Sequence, residues 1–391
     1  MEGDEPFFSI VSVCYNDVWA LMKTARSVFE QSASDFEYIV VDGGSQDGTA
    51  DLVAFWQAQG LVARSVSEKD SGVYNAMNKG LDMARGRYVC FLNASDVFAD
   101  ADVLQRVRAL LEGRGLDGLL GWGQLNDQIW ASWIADEAFT MASLGFCHQA
   151  LFVRRALLAQ DRFDERPFKT DSDTQQLGRL FAGGARIPIL PEVLAIRGGE
   201  PGISADLERT RVSIANTLVE RYPDLDDAAA ERIIAFRRRC EDPDAMRALL
   251  RGAAPRLARH LAYMVLDTLF QRASAPLAPD AVQRLVGDAL QTLQGAQDDD
   301  ATREQIDRLV FAQERRARLL DARRTARDDL DRAVSRFEAE EETRIARLRA
   351  AVNVGGRDSD MVVSLTSFPA RLKTVHFAIR SLYEQTCRPA E

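Results

Sequence analysis

Three acidic residues in the first hundred positions stand where chemistry can be done. Asp42 follows the apolar run Tyr38-Ile39-Val40-Val41 and opens Asp42-Gly43-Gly44-Ser45. Asp70 lies within Ser67-Glu68-Lys69-Asp70-Ser71-Gly72, and Asp96 closes Asn93-Ala94-Ser95-Asp96 directly after the apolar run Tyr88-Val89-Cys90-Phe91-Leu92. Carboxylates at the carboxyl ends of buried strands sit at the edge where open α/β sheets bind ligands. The small residues around them admit a close approach, and oxygen donors grouped in this way suit a nucleotide together with a hard divalent cation. Further along, the acid-rich stretch Phe163-Asp164-Glu165-Arg166-Pro167-Phe168-Lys169-Thr170-Asp171-Ser172-Asp173 precedes a helical pattern. His148, one of three histidines, lies in Gly145-Phe146-Cys147-His148-Gln149.

The elements that must position these groups alternate. Phe8-Ser9-Ile10-Val11-Ser12-Val13 reads as a strand, Ala20 to Gln31 as a helix with Leu21, Ala25, Val28 and Phe29 on one face, and Tyr38 to Val41 as a strand. Helices follow over 49–59, stopped by Gly60, and over 72–83, stopped by Arg85-Gly86, before the strand Tyr88 to Leu92. Such alternation predicts an α/β domain over residues 1–204 with a mostly parallel sheet covered by helices on both faces. From 205 to 300 strand signals vanish, and the periodicity predicts separate helices at 212–221, 228–239, 245–251, 257–272 and 281–293. Residues 301–354 read as one long charged helix with i,i+4 Glu/Asp–Arg pairs and an imperfect heptad seam, either a solvated helix packed on its own domain or a coiled coil joining copies of the chain. Beyond Gly355-Gly356, Arg380-Ser381-Leu382-Tyr383-Glu384-Gln385-Thr386 echoes Arg26-Ser27-Val28-Phe29-Glu30-Gln31-Ser32. Residues 355–391 therefore read as the truncated start of a second domain of the first type.

At 391 residues, with 46% apolar and 28% charged side chains, the chain has room for more than one domain, each with its own core. A formal net charge of −10 removes nucleic acid from the expected partners, because a polyanion needs a basic surface. The five cysteines are scattered without a CxxC pair and read as reduced core thiols, which together with the acidic start and the lack of an apolar leader predicts a cytoplasmic protein. The amphipathic stretch Leu257, Leu261, Met264, Val265, Leu269 leaves peripheral contact with the inner membrane open beside a core-facing helix.

Four motifs, in order, carry a family resemblance: Ser9-Ile10-Val11-Ser12-Val13-Cys14-Tyr15-Asn16, Val41-Asp42-Gly43-Gly44-Ser45-Gln46-Asp47-Gly48-Thr49, Gly72-Val73-Tyr74-Asn75-Ala76-Met77-Asn78-Lys79-Gly80, and Phe91-Leu92-Asn93-Ala94-Ser95-Asp96. Residues 8–204 resemble the inverting family-2 glycosyltransferases of GT-A fold, in particular bacterial polysaccharide enzymes of the colanic-acid type. Leu365-Thr366-Ser367-Phe368-Pro369-Ala370-Arg371 also resembles the start of a glycosyltransferase domain, more weakly, which implies a bifunctional parent chain.

The resemblance implies a nucleotide-sugar donor, UDP-linked, and a saccharide or lipid-linked saccharide acceptor. It places Tyr15, Asn16, Asp42, Gly44, Asp70, Lys79 and Ser95 around the nucleotide. Asp96 matches the last acid of the family's DxD-like motif and is assigned to Mn²⁺ or Mg²⁺, with His148 as a further metal ligand or an acceptor contact. Asn93 stands where a first Asp often does, which leaves one carboxylate and implies a cation that arrives with the donor. Asp173 aligns with the catalytic base, Asp171 is its reserve, and Trp122 and Gln149 are assigned to the acceptor.

Each assignment has a plainer structural reading. Asp42 can serve an Asx-turn, Asp70 and Asp173 can cap helices, Lys79 can be solvated, and His148 can be structural. Trp122, Trp130 and Trp133 can pack the core, and Gly198-Gly199-Glu200-Pro201-Gly202-Ile203-Ser204 can be a plain turn rather than a loop closing over the donor. A competing function is a nucleotide-sugar-binding scaffold without catalysis. A sugar-nucleotide pyrophosphorylase is disfavoured, since the first strand runs into Cys14-Tyr15-Asn16-Asp17 rather than a Gly-rich basic loop.

Overall fold

The computed structural model describes residues 5–126, 128–135, 138–142, 146–166, 170–198, 207–271 and 279–295, with isolated positions between 315 and 339. The chain forms two compact units, 1–315 and 316–391. The proposed second-domain start at 355–391 and nearly all of the heptad seam lie outside the described residues, as does the 199–204 part of the Gly-rich loop.

Nine strands make one sheet: β1 Phe8–Cys14, β2 Phe36–Asp42, β3 Arg64–Ser67, β4 Tyr88–Phe91, β5 Val97–Phe98, β6 Gly118–Leu125, β7 Gln128–Trp130, β8 Leu151–Arg154 and β9 Ile189–Ile196. Their order is β3-β2-β1-β4-β8-β6-β9-β5, with β7 paired to β6. The first four strands are parallel, as the strand–helix alternation predicts. The second half departs from that expectation. There β8 runs antiparallel to both β4 and β6, and β9 is parallel to β6 but antiparallel to β5, so the whole sheet is mixed.

Among the described residues up to 295, twelve helices accompany the sheet: α1 Val18–Phe29, α2 Thr49–Ala58, α3 Val73–Met83, α4 Val103–Leu111, α5 Phe139–Ala142, α6 Arg155–Gln160, α7 Ser172–Ala182, α8 Leu207–Arg221, α9 Asp227–Arg239, α10 Pro243–Gly252, α11 Pro255–Gln271 and α12 Pro279–Gly295. Strand period sorts the two faces. Phe8, Ile10, Tyr38, Val40, Tyr88 and Cys90 join Leu21, Ala25 and Val28 of α1, Val53 and Trp56 of α2, and Val103, Leu104 and Val107 of α4 in one core. The alternate residues Val11 and Val41 face α3, whose Gly80 lies so close that a Cβ would meet Val11 Cγ1 at 2.3 Å. Only glycine permits that approach, which brings the start of α3 to the carboxyl edge of β1 and β2.

The five helices foreseen between 205 and 300 are α8 to α12, within a few residues. Asp226 caps α9 by accepting from Ala229 N at 2.6 Å, and Asp242 caps α10 ahead of Pro243, both familiar start signals. These helices belong to the same compact unit as the sheet. The Trp133 indole N–H donates to Asp267 of α11 at 2.7 Å. Leu257, Leu261, Met264 and Val265 are buried, so the apolar face of α11 is spent on packing. Among the described residues no helix is long and apolar enough to cross a membrane.

Candidate active site

Register assembles the site. Cys14, Asp42 and Ser67 are partners across β1, β2 and β3, and the chain beyond β4 continues along β1, with Leu92 N on Val11 O at 2.8 Å and Ala94 N on Val13 O at 3.0 Å. Neighbouring strands lie about 4.8 Å apart, so the ends of β2 and β4 flank β1 at roughly 10 Å. Asp42 and Asp96 therefore share one edge.

On the β2 side, Asp42 is buried and accepts from Ser45 N at 3.1 Å, from the Ser45 hydroxyl and from Ser67 Oγ at 2.5 Å. Asn16, in the left-handed region at φ 49°, ties the β1 loop to this turn, donating from its backbone N to Ser45 Oγ at 2.7 Å and accepting from Gln46 N at 2.8 Å. Gly43 is hemmed in: a Cβ there would lie 2.7 Å from Asp70 Oδ2 and 3.2 Å from the Tyr15 ring. Gly44 holds φ +84°, which favours glycine. Tyr15, Gly43 and Asp70 thus form one wall, with Tyr15 66% exposed. Asp70 also accepts from Gly72 N at 2.9 Å ahead of α3. Lys79 is not solvated. It pairs with Glu68 at 2.8 Å and donates to Lys69 O at 3.1 Å, tying α3 to the Asp70 loop.

On the β4 side, Asp96 is buried, accepting from Gly198 N at 2.9 Å and from the Gln149 amide at 2.6 Å. Among the described residues no Lys or Arg pairs with Asp42 or Asp96. Burial pushes the Asp96 carboxyl above the usual carboxylate range, and the Gly198 N–H, the Gln149 amide and the nearby His148 and Arg197 offset this only in part. Ser95 sits at φ 77°, with Gly198 pressed against it. Asn93 Oδ1 is buried with no hydrogen-bond partner.

The acidic segment before α7 sends its two aspartates in different directions. Asp173 accepts from Thr174 N at 2.8 Å and from Tyr74 OH at 3.3 Å, and its Oδ2 lies 3.0 Å from His148 Nδ1. Tyr74 stays protonated, its phenol pushed well upward by burial and then by the charges of Asp173 and Asp171. Asp171 is turned into the helical region, where Ser213 and Thr217 of α8 both donate to it, Thr217 at 2.6 Å. α3 also grips this segment from below. Asn78 exchanges hydrogen bonds with Phe163 at 3.0 and 3.2 Å, and Glu165 bridges Asn75 and Asn78 at 2.7 and 2.6 Å.

Two acceptor expectations need correction. Trp122 is fully buried, with its N–H on Ser132 O at 2.9 Å, so its ring offers no platform to a sugar. Gln149 is also buried, and its amide is occupied by Asp96 rather than directed outward. His148, expected as a metal ligand or an acceptor contact, has Asp173 on one ring nitrogen and Asn93 Nδ2 at 3.3 Å from the other. Among the described residues, no cluster of three or more His, Cys, Asp or Glu side chains is placed to hold a metal. The fit for a cation rests instead on Asp96, a buried carboxylate lacking a cationic partner, and on the unpartnered oxygen of Asn93; both are hard oxygen donors.

The glycosyl transferase family 2 model matches residues 9–172. A PGL/p-HBAD biosynthesis glycosyltransferase of Mycobacterium tuberculosis is 30% identical over 255 residues, spanning 60% of this chain and 98% of that protein. The chain belongs to glycosyl transferase family 2. An amylovoran biosynthesis glycosyltransferase of Erwinia amylovora is 34% identical to this family-2 enzyme over 124 residues, 30% of this chain and 41% of that protein. A solved mannosyltransferase of Pyrobaculum calidifontis, in complex with GDP-Man and Mn²⁺, is similar at a TM-score of 0.46 and 18% identity, covering 81% of this chain and 87% of that one. The family match ends at 172, so it includes every acid of the site except Asp173.

Proposed function

We propose that this family-2 glycosyltransferase moves a sugar, with inversion, from a nucleoside diphosphate sugar to a hydroxyl of a saccharide or lipid-linked saccharide during bacterial surface polysaccharide assembly. UDP sugars are the first donors to test. The observation that carries the reading is a buried Asp96 without a cationic partner, on the same sheet edge as Asp42 and linked through one turn to Asp173. The relatives named for PGL/p-HBAD and amylovoran biosynthesis support an acceptor of the polysaccharide or glycolipid class.

In this reading the exposed Tyr15 ring and the narrow floor at Gly43 receive the base, with Asp42 and Asp70 behind them holding the shape of the pocket. Asp96 and Asn93 Oδ1 are the residues that would hold Mn²⁺ or Mg²⁺, and such a cation would supply Lewis-acid stabilisation of a departing diphosphate. Asp173 takes the proton of the attacking hydroxyl. Its carboxylate is fixed by three donors, so its remaining lone pairs point in set directions, and general bases of this kind contribute about 10²–10⁴-fold. Inversion requires that the hydroxyl attack from the Asp173 side while the diphosphate departs toward Asp96, on opposite faces of the anomeric carbon.

The test is a panel of nucleotide sugars read by thermal shift with and without Mn²⁺, followed by nucleotide release with an acceptor mixture. The expected result is a cation-dependent shift with one donor class and turnover that Asp96→Asn and Asp173→Asn abolish. If wild type binds nucleotide yet turns over no donor, and both variants behave identically to it, the scaffold reading replaces this one.

A further inference from the structure

Two adjacent residues, His148 and Gln149, each hold one of the two acids. His148 Nδ1 meets Asp173 Oδ2 at 3.0 Å, and Gln149 Nε2 donates to Asp96 Oδ2 at 2.6 Å. They share a short 3-10 turn, His148–Ala150, which is itself locked in the sheet. Ala150 N bonds to Cys147 O at 2.9 Å, and Cys90 Sγ donates to Gln149 O at 3.4 Å. The direction of the Gln149 amide is not free either. Cys147 Sγ donates to its Oε1 at 3.0 Å, which leaves the NH₂ for Asp96. Gly123 packs against Cys147 so tightly that a Cβ on Gly123 would meet Sγ at 2.4 Å.

The His148 side has the same single polarity. An ionised Asp173 requires the proton on Nδ1, which leaves Nε2 to accept from Asn93 Nδ2 and turns Asn93 Oδ1 away, where it is buried without a partner. Apolar Met77, Phe91, Leu158 and Phe163 line the space beside His148 and Asp173, so little competes with this hydrogen bond.

We propose that His148-Gln149 is a two-residue yoke that sets the distance and direction of Asp173 relative to Asp96, with His148 a positioning residue for the base and not a ligand of the cation. The proposal rests on Asp173 being the base. A misplacement of about 1 Å between reacting groups costs on the order of 10²-fold in rate, which is what a yoke prevents.

The test uses the full chain. His148→Phe keeps the ring and loses both ring nitrogens; His148→Asn restores an N–H near the position of Nδ1. The expected result is a kcat about 10²-fold lower for His148→Phe even at saturating Mn²⁺, recovery to within about 10-fold of wild type for His148→Asn, an unchanged donor KM in both, and a Mn²⁺ midpoint in His148→Phe shifted no further than in Asn93→Ala, because His148 also orients Asn93. Turnover of His148→Phe restored to the wild-type level at high Mn²⁺ puts the loss at the cation rather than at the base and overturns the proposal. So does an unchanged kcat. Nitrogen NMR of His148 gives a reading independent of turnover. The yoke requires the proton on Nδ1 in wild type and a changed Nδ1 signal in Asp173→Asn, and a ring protonated only at Nε2 refutes it. A chain with the Nδ1 signature but no activity on any donor leaves the yoke standing and removes the proposed transfer instead.

Discussion

Strand β2 carries a buried acid at each end, and the two ends of the sheet treat their acids differently. At the amino edge, Glu37 accepts from Ser9 Oγ at 2.5 Å, Arg85 N at 2.6 Å and Gly86 N at 3.1 Å, and is ion-paired with Arg64. Its charge is answered within the protein. At the carboxyl edge, Asp42 and Asp96 accept only from neutral groups: Ser45 and Ser67 for one, Gln149 and Gly198 for the other. Hydrogen bonds orient these carboxylates without cancelling their charge. A buried anion with no counterion is unfavourable to stability, and such groups gather at functional sites. The amino edge pairs its acid within the fold, whereas the carboxyl edge leaves Asp42 and Asp96 without an ion-pair partner among the described residues.

Four experiments break or sharpen this contrast. The largest effect is expected for Asp173→Asn, which should lower transfer by about 10²–10⁴-fold with the unfolding midpoint and donor binding retained. A matching loss of donor binding would move Asp173 from the base to the donor pocket. At the other edge, Glu37→Gln should destabilise by about 3 kcal/mol in urea unfolding. That is the low end for breaking a buried pair, because the Arg64 side chain is 25% exposed. Turnover per folded molecule should not change.

Asp96→Asn is expected to move stability less. Burial holds the native Asp96 carboxyl above its usual range, so near neutral pH its ionised form opposes folding; the amide removes that cost but turns its NH₂ toward one of two donors, Gly198 N or Gln149 Nε2, so the two effects offset and the unfolding midpoint should change little. The same variant should lose the Mn²⁺-dependent part of the donor thermal shift; a large drop in stability would mean that Asp96 is structural after all. The smallest signal concerns the thiols. Burial pushes Cys14 up to about 11 and Cys147 up to about 12, so the reactive thiolate is disfavoured in the native state. Neither should be modified by a thiol reagent at pH 8 until denaturant is added, and rapid native labelling of Cys147 would contradict the locked turn around Gln149.

Much of the first half was legible because its signals are local. Short apolar runs located β1, β2 and β4, glycine stops bounded α2 and α3, and strand ends put Asp42 and Asp96 on one edge. The second half of the sheet left no such trace. β5 has two residues and β7 three, and β8 and β9 acquire their partners from strands far away in the sequence. Long-range pairing of that kind depends on topology rather than on local periodicity.

Within the site the types were readable but not the directions. Asp171 and Asp173 sit on one helix start, and nothing in their spacing says that Ser213 and Thr217, some forty residues on, capture the first. Gln149 was assigned to the acceptor by resemblance, and nothing in the sequence reveals that its amide is turned inward by a cysteine. Asn75 and Asn78 belong to a motif that carried the family resemblance, and their side chains hold the segment ahead of Asp173 through Phe163 and Glu165.

The link from Asp171 to α8 has a consequence for how such an enzyme can be rebuilt. The sheet and its acids occupy the first 200 residues, yet the helix start that carries Asp173 is moored by hydroxyls from α8, and Trp133 by a carboxylate from α11. A chimera that swaps the helical half for another enzyme's, to change what is glycosylated, must bring its own equivalents of Ser213, Thr217 and Asp267. Without them the graft would set Asp171 loose two positions from Asp173.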